Sequence, residues 1–223
     1  MHIRWLGHSA FLLTGESKRV VVDPYRQPPE GASIRFDYRP IDVDADLVLV
    51  SHEHFDHDAA DAVGGAPEVL RARAGTFDSA IGEVVGVASE HDPSAGTQRG
   101  ANVIFRFALD GVRCCHMGDF GQRELRAEQR EAIGPIDILF IPVGGGPTIG
   151  GREAAVVVDE LHPGLVVPMH FATAAVDFIA GPEEFLSAVS GAVRRPDASE
   201  IALDEFAGSR EGTAIVVLAP DLT

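Results

Sequence analysis

The segment Ser51-His52-Glu53-His54-Phe55-Asp56-His57 is the most informative part of this sequence for both its fold and its chemistry. It follows residues 46–50, DLVLV, an apolar run of the kind that forms a buried strand. On an extended segment, residues i and i+2 project the same way, so His52 and His54 can face one ion. The next turn can direct Asp56-His57 towards a second ion. Imidazole and carboxylate groups are the usual ligands of zinc and related divalent cations, so this spacing predicts a metal site.

Three more residues of ligand type follow predicted strands elsewhere in the chain. They are His91 after residues 83–89, Asp119 after residues 112–115, and His170 after residues 165–168. Open α/β folds place functional groups at the ends of strands, so these three residues are candidates to complete the site. Of the remaining histidines, His8 and His116 also lie close to the ends of predicted strands.

The composition and the order of elements indicate the architecture. The 223 residues are 45% hydrophobic and 23% charged, which is ordinary for a globular protein and excludes a disordered or fibrous chain. The length predicts a single domain over residues 1–223. Short apolar runs come first, and strands then alternate with helices. We expect helices over residues 58–63, 122–133, 152–162 and 182–193. This order favours an α/β sandwich of two mixed sheets flanked by helices.

The charge balance constrains the partners. With 18 basic and 34 acidic residues, the net charge is −16. An acidic exterior repels phosphate backbones and anionic membranes, so it disfavours nucleic acid and favours a small molecule as the partner.

The cysteines and the apolar pattern predict the compartment. Cys114 and Cys115 are adjacent, and on a strand they would point to opposite faces, which excludes a disulfide framework. A reducing cytoplasm is therefore expected. The first residues lack the pattern of a signal peptide, and no apolar run is long enough to cross a bilayer, so we expect no membrane span.

The run HEHFDH at residues 52–57, with a later histidine, a Gly-Asp pair and a final histidine, resembles the metallo-β-lactamase superfamily. Asp23, at the end of VVVD, matches the first motif of that superfamily. The stretches LGHSAFLL, VDPY and VPMHF, at residues 6–13, 22–25 and 167–171, resemble one branch of it. That branch contains the small bacterial metal-dependent hydrolases related to L-ascorbate-6-phosphate lactonase. The resemblance covers nearly the whole chain and implies an α/β fold, a four-layer αββα sandwich of two mixed β-sheets flanked by helices.

The resemblance also implies roles for the candidate residues. One ion would be held by His52, His54 and His91, a second by Asp56, His57 and His170, and Asp119 would bridge the two. Asp23 would lie behind these ligands and orient the histidine segment. Two divalent ions are expected, with zinc as the first choice and manganese or iron as alternatives.

The reaction implied by two such ions is hydrolysis of an ester, lactone, amide or phosphodiester by a hydroxide shared between them. Asp56 or Asp119 can hold that nucleophile in line and pass a proton to the leaving group, so both are candidate catalytic residues. The chain has no G-x-S-x-G elbow for a serine nucleophile. Two ions add positive charge to the pocket, so a small anionic substrate can bind despite the acidic exterior.

Several alternatives stay open at this level. A non-hydrolytic iron-binding protein with oxygen or persulfide chemistry, or a binding protein without catalysis, fits the same scaffold. His8 is either a turn histidine or a contact to the ligands or the substrate, and His116 is expected to be a strand residue with a local partner. Gly144-Gly145-Gly146 is expected to be a turn, with a backbone approach to substrate as the alternative. Phe171 stands where the branch commonly has tyrosine, which weakens any transfer of lactonase specificity. No pattern indicates the oligomeric state.

Overall fold

Two mixed β-sheets form the centre of the fold. The computed structural model describes residues 1–205 and 212–222. Within these ranges the strands are β1 His2–Gly7, β2 Ala10–Thr14, β3 Arg19–Val22, β4 Leu47–Val50, β5 Glu68–Arg71, β6 Gly75–Ser79, β7 Gly82–Glu90, β8 Ala101–Leu109, β9 Val112–His116, β10 Ile138–Pro142, β11 Leu165–Met169, β12 Ala192–Arg194, β13 Glu200–Ala202 and β14 Ala214–Val216. The helices are α1 Ala127–Ile133, α2 Gly151–Leu161 and α3 Glu183–Ala188, and 3-10 turns cover Ala60–Ala62 and Leu203–Glu205. Each helix in the described ranges is too short or too polar to reach across a bilayer.

The strand order shows that both sheets mix parallel and antiparallel pairs. One sheet runs β13-β1-β2-β3-β4-β5, with β3, β4 and β5 parallel to one another and the other pairs antiparallel. The other runs β12-β14-β11-β10-β9-β8-β7-β6, parallel from β12 to β9 and antiparallel from β9 to β6. The predicted class, an α/β fold with two mixed sheets, is confirmed.

The two sheets share one apolar core between them. On β2, Phe11 and Leu13 belong to that core, and Leu12 belongs to a second cluster on the outer face of the sheet. Tyr25 and Phe36, from the long connection between β3 and β4, are part of this outer cluster. Because both faces of these strands are buried, their sequences are continuous apolar runs and do not alternate.

The helices contact the eight-stranded sheet. Helix α1 packs against β7, and α2 packs against β10 and α3. On the six-stranded sheet, a 3-10 turn at Ala60–Ala62 lies beside β4, and a second one at Leu203–Glu205 directly follows β13. The turn at Ala60–Ala62 lies where the sequence indicates a short helix over residues 58–63.

Helix α1 is shorter than the helix predicted over residues 122–133. It begins at Ala127, because the side chain of Gln129 accepts a hydrogen bond from the Arg126 N–H at 2.9 Å and caps the helix there. The side chain of Gln122, upstream of the helix, donates to the Gln129 side-chain oxygen at 2.7 Å. Residues 122–126 therefore have a helical sequence pattern, but they fold back onto the start of the helix.

Helix α3 is also shorter than predicted, and the prediction of helix over residues 182–193 is wrong in its second half. The helix ends at Ala188, and Ala192–Arg194 forms strand β12 beside β14. Gly191 has a φ of +149°, and a Cβ there would lie 2.3 Å from the carbonyl oxygen of Thr213. This close backbone approach requires glycine and places β12 at the sheet edge.

The strand ends carry the candidate residues to one place. His8 follows β1, Asp23 follows β3, residues 51–57 follow β4, His91 follows β7, Asp119 comes shortly after β9, and His170 follows β11. Strands from both sheets therefore supply the site.

Candidate metal centre

Three residues of the site have a left-handed backbone conformation that is uncommon outside glycine. The φ angle is 52° at His8, 46° at Asp23 and 51° at His170. Each residue directly follows a strand, so the chain turns sharply there. The conformation costs roughly 1–2 kcal/mol for an L-residue, which surrounding contacts must offset. One such contact joins two of the three, since the His170 N–H donates to the His8 carbonyl at 3.1 Å.

The first group of donor atoms contains three histidines. Donor atoms of His52, His54 and His91 lie within 4.8 Å of one another. The ring centroids of His52 and His54 are 4.5 Å apart, and those of His54 and His91 are 5.1 Å apart. The structure brings together the three residues that the sequence implied for one ion, in a group capable of binding metal.

The second group combines histidines with a carboxylate. It contains Asp56, His57 and His170, and His8 joins them. Nε2 of His8 lies 3.2 Å from Oδ2 of Asp56, and the rings of His8 and His170 are 4.2 Å apart. His8 is fully buried, so it is placed beside the candidate ligands and not in an exposed turn.

Asp119 lies between the two groups. Its Oδ2 is 3.2 Å from Nε2 of His91 and 3.4 Å from Nε2 of His170, and its Oδ1 is 3.3 Å from Nε2 of His57. The side-chain oxygen of Asn102 accepts a hydrogen bond from the Asp119 N–H at 3.0 Å and holds this turn in place. One carboxylate therefore contacts a member of the first group and two members of the second.

Asp23 is fully buried behind the histidines. Its Oδ1 accepts a hydrogen bond from the Ser51 N–H at 2.7 Å, and its Oδ2 accepts from the Ser51 hydroxyl at 2.7 Å and from His57 Nδ1 at 3.0 Å. Because the Ser51 hydroxyl donates to Asp23, its oxygen accepts from Nδ1 of His52 at 2.9 Å. Both histidines therefore carry a proton on Nδ1 and direct Nε2 into the site.

His91 is oriented by a backbone carbonyl. Its Nδ1 donates to the carbonyl oxygen of Pro147 at 3.0 Å, which again leaves Nε2 for the site. Pro147 follows the Gly144–Gly146 turn, and a Cβ at Gly144 would lie 2.3 Å from the carbonyl oxygen of His170. This loop therefore supports two candidate ligands through its backbone.

Unpaired polar atoms converge at the centre. Within the described chain, Nε2 of His52, Nε2 of His57 and Oδ1 of Asp119 are buried without a hydrogen-bond partner. Leaving a buried polar atom unsatisfied costs about 1–3 kcal/mol. Metal cations would satisfy all three atoms, and imidazole nitrogen with carboxylate oxygen is the donor set of zinc and related ions. The residues present therefore fit a metal centre.

Burial sets the protonation state of the histidines. Burial, together with the positive field of His57, lowers the pKa of His52 to about 3, and burial lowers the pKa of His8 to about 4. Both rings are neutral at pH 7, which is the form that binds metal. Burial also disfavours charge on His57, but the carboxylates of Asp119 and Asp56 outweigh it and raise the His57 pKa well above its usual range. The carboxylates that favour a proton on His57 also favour a metal cation there.

The three carboxyl groups of the site are ionised. Burial alone would raise the pKa of Asp23, Asp56 and Asp119, but the neighbouring histidines, His57 in each case, hold each pKa below its ordinary value. The centre therefore concentrates negative charge next to the neutral imidazoles of His8 and His52, and this environment favours the binding of divalent cations.

His116 has local partners, as expected from its strand position. Its Nδ1 accepts a hydrogen bond from the Gly118 N–H at 3.1 Å, so its Nε2 donates to the Ser9 carbonyl at 2.9 Å. His116 is fully buried and supports the turn that carries Asp119.

Sequence reasoning missed three residues that hold candidate ligands in place, namely Ser51, Asn102 and Pro147. Ser51 lies inside the histidine segment, and a hydroxyl next to His52 was a usable signal. Pro147 acts through its main-chain carbonyl, and Asn102 acts on a residue that is distant in sequence. No pattern in the sequence marks either of these two.

The metal centre opens into a cavity of about 350 Å³. Both predicted catalytic carboxylates, Asp56 and Asp119, line it, together with His54 and His91. A small molecule can therefore reach both groups of donor atoms.

The family of the chain follows from a comparison over these same residues. A family model described as a β-lactamase superfamily domain matches residues 2–170, which include every candidate residue of the site. The chain belongs to the metallo-β-lactamase superfamily.

Relatives of the chain in the metallo-β-lactamase superfamily carry the name metal-dependent hydrolase. A UPF0173 metal-dependent hydrolase of Thermococcus kodakarensis is 34% identical over 215 residues, which cover 82% of this chain and 89% of that protein. One of Thermococcus onnurineus is 35% identical over 210 residues, with the same two coverages of 82% and 89%. The chain is accordingly a metal-dependent hydrolase.

A solved structure supports the metallo-β-lactamase fold over nearly the whole chain. A candidate Zn-dependent hydrolase of this superfamily from Thermotoga maritima superposes with a TM-score of 0.75 at 32% sequence identity. The match covers 97% of this chain and 98% of that one. The fold expected from the histidine segment is therefore confirmed.

Proposed function

We propose that this protein hydrolyses an ester, lactone or phosphodiester bond of a small molecule at a centre of two metal ions. The observation that carries the proposal is the position of Asp119. Its Oδ2 lies 3.2 Å from Nε2 of His91 in the first group and 3.4 Å from Nε2 of His170 in the second. A centre for one ion would require only one of these groups.

The donor atoms divide between the two ions. His52, His54 and His91 would hold one ion, Asp56, His57 and His170 would hold the other, and Asp119 would be shared. When bound, two divalent ions supply a hydroxide at neutral pH and polarise the oxygen of the bond under attack. Zinc is the expected metal, with manganese or iron as alternatives, because this donor set accepts all three.

The carboxylates of the chain would move the proton. Asp119 is ionised and lines the cavity, so it can take a proton from a water molecule and return it to the leaving-group oxygen. Asp56 lines the same cavity and is the second candidate for this transfer. His8 would position Asp56, since Nε2 of His8 donates to Oδ2 of Asp56 at 3.2 Å.

The exterior and the cavity favour a small substrate. A net charge of −16 opposes long polyanions such as RNA, whereas positive charge at the metal centre favours a small anion. We place the protein in the cytoplasm, because its two cysteines are free and buried. Its oligomeric state is left open.

The relation to L-ascorbate-6-phosphate lactonase stays a sequence-based prediction. Phe171, which stands where that branch commonly has tyrosine, is buried against Trp5 with the ring centroids 5.2 Å apart. Phenylalanine has no hydroxyl with which to stabilise an oxyanion. A lactone is therefore one candidate substrate among several.

The test is a hydrolysis panel on the metal-loaded protein. The panel contains a phosphodiester, a carboxyl ester, several lactones, a glutathione thioester and a β-lactam, and Asp119→Asn is the control. We expect turnover of one class of bond, and a fall of about a hundredfold or more in the variant. Turnover that Asp119→Asn leaves unchanged would contradict the proposal. Visible absorbance of the purified protein separates iron from zinc or manganese, and so tests the non-hydrolytic iron alternative.

A further inference from the structure

We propose that the cavity over the metal centre selects substrates that carry an anionic group beside an apolar group, and that Arg99 recognises the anion. This inference rests on the proposed function for the reaction, but the binding preference itself can be measured without turnover. Arg99 lines the cavity together with His54 and His91 of the first donor group.

The loop that carries Arg99 is built around one buried carboxylate. Asp92 is 2% exposed and accepts four backbone hydrogen bonds at 2.8–3.2 Å. The donors are the N–H groups of Ser94, Gly96, Gln98 and Arg99. The loop starts at His91, whose N–H donates to the carbonyl of Gly100 at 3.1 Å and closes it. Arg99 is therefore fixed through its own backbone, next to a candidate ligand.

The side chain of Arg99 has no structural task in the fold. Its guanidinium is exposed and makes no hydrogen bond or ion pair with the part of the chain that the structure describes. The chain contains 34 acidic residues, so a shortage of acidic side chains does not explain why Arg99 lacks an ion pair. An arginine that stays unpaired on the wall of a catalytic cavity is available to bind a carboxylate or a phosphate. Glu53 lines the same cavity, and its negative charge would repel an anion from its own part of the wall.

Apolar side chains line another part of the same cavity. Ile34 and Phe178 are 39% and 40% exposed, which is high for large apolar residues. Their two loops are joined by the Phe36–Val176 bridge and by an ion pair at 3.7 Å between Arg35 and Asp177. An apolar group of a ligand would cover this surface and remove it from water.

The two parts of the wall lie beside different donor groups. The ring of Phe178 is 6.3 Å from that of His8, which belongs to the second group, whereas the Arg99 loop starts at His91 of the first. A substrate that spans the centre therefore presents its anion near the first group and its apolar part near the second. A volume of about 350 Å³ fits a small amphipathic acid.

The experiment measures binding with a matched pair of probes. Phenylsuccinate and its monoamide both offer one carboxylate to the metal centre, and only phenylsuccinate offers a second. Isothermal titration calorimetry gives the affinity ratio of the two probes for the full-length zinc-loaded protein, for Arg99→Gln and for Arg123→Gln. Arg123 is an exposed arginine outside the cavity wall, so it is the matched control. Contacts of the common carboxylate cancel in this comparison.

We expect the wild type to prefer phenylsuccinate by roughly five- to tenfold, as for a charge-assisted hydrogen bond at a partly exposed site. Arg99→Gln should remove most of this preference, Arg99→Lys should keep part of it, and Arg123→Gln should keep all of it. The same preference in Arg99→Gln as in the wild type, or no preference in the wild type, would overturn the inference. The hydrolysis panel is read separately, so a missing binding preference overturns this inference alone, and turnover that Asp119→Asn leaves unchanged contradicts the proposed function alone.

Discussion

Nδ1 of His57 donates a hydrogen bond to Oδ2 of Asp23 at 3.0 Å, and neither side chain is exposed to solvent. The same carboxylate accepts two hydrogen bonds from Ser51, whose hydroxyl oxygen accepts in turn from His52. Asp23, which is not itself a proposed ligand, therefore fixes the ring orientation of two proposed ligands, His52 and His57, and keeps a proton on Nδ1 of each. Its left-handed backbone, with a φ of 46°, directs the carboxylate towards them.

Replacing Asp23 by alanine should weaken metal binding without touching a proposed ligand. The Ser51 N–H and His57 Nδ1 would lose their acceptor, and loss of such a supporting partner typically costs 10- to 100-fold in metal affinity. Competition with a chromophoric chelator measures the change. Asp23→Asn is the milder variant, because its side-chain oxygen can still accept from the Ser51 N–H. Zinc affinity of Asp23→Ala equal to the wild type would refute the supporting role.

Gly144→Ala should disturb His170 through the backbone. The new Cβ would lie 2.3 Å from the His170 carbonyl oxygen and 3.0 Å from Cα of Phe171. Both are main-chain atoms, which cannot move aside as easily as the end of a side chain. We expect a loss of about 1–3 kcal/mol in the free energy of unfolding and weaker binding of one ion. Gly150→Ala is the matched control, since its Cβ would meet only the carboxylate ends of Glu153 and Glu184. Equal denaturant midpoints for the two variants would show that the close approach is unimportant.

His8→Asn tests the contact between His8 and Asp56. Asparagine tolerates the left-handed backbone at this position, but its shorter side chain cannot reproduce the 3.2 Å contact with Oδ2 of Asp56. The affinity for one of the two ions should fall by about tenfold. His162→Asn is the control, because His162 is exposed, has a φ of 46° and ends helix α2. If both variants bind zinc as tightly as the wild type, His8 does not support the centre.

The thiols should be inert in the folded protein. Burial raises the pKa of Cys115 to about 12 and raises that of Cys114 as well, so both stay protonated at pH 8. A disulfide reagent should modify two thiols per chain in denaturant and almost none in buffer. The same shift has a stability consequence. Because the folded-state pKa lies above the unfolded value of about 8.5, the unfolded chain ionises first and stability should fall above that pH. Rapid reaction of either thiol under native conditions would contradict this burial.

The histidine segment made the fold predictable, and it supplied most of the candidate ligands that the structure brings together, because its information is local. His52 and His54 follow a buried strand at a spacing typical of metal ligands. Their positions after predicted strands made Asp119 and His170 candidates, and the family resemblance then implied their roles. The family resemblance also implied the supporting role of Asp23, but the contributions of Asn102 and Pro147 were not predictable, since Pro147 acts through a carbonyl and Asn102 acts on a residue distant in sequence. The polar edge strands β5, β6 and β12 were missed, because they lack the apolar alternation that marks a strand.

The number of metal ions per chain tests the central claim most directly. Native mass spectrometry at saturating zinc, supported by elemental analysis, should find two ions in the wild type. His54→Ala and His170→Ala should each lose about one, since they remove a donor from different groups. A single ion in the saturated wild type, or two retained ions in His170→Ala, would contradict the two-ion centre.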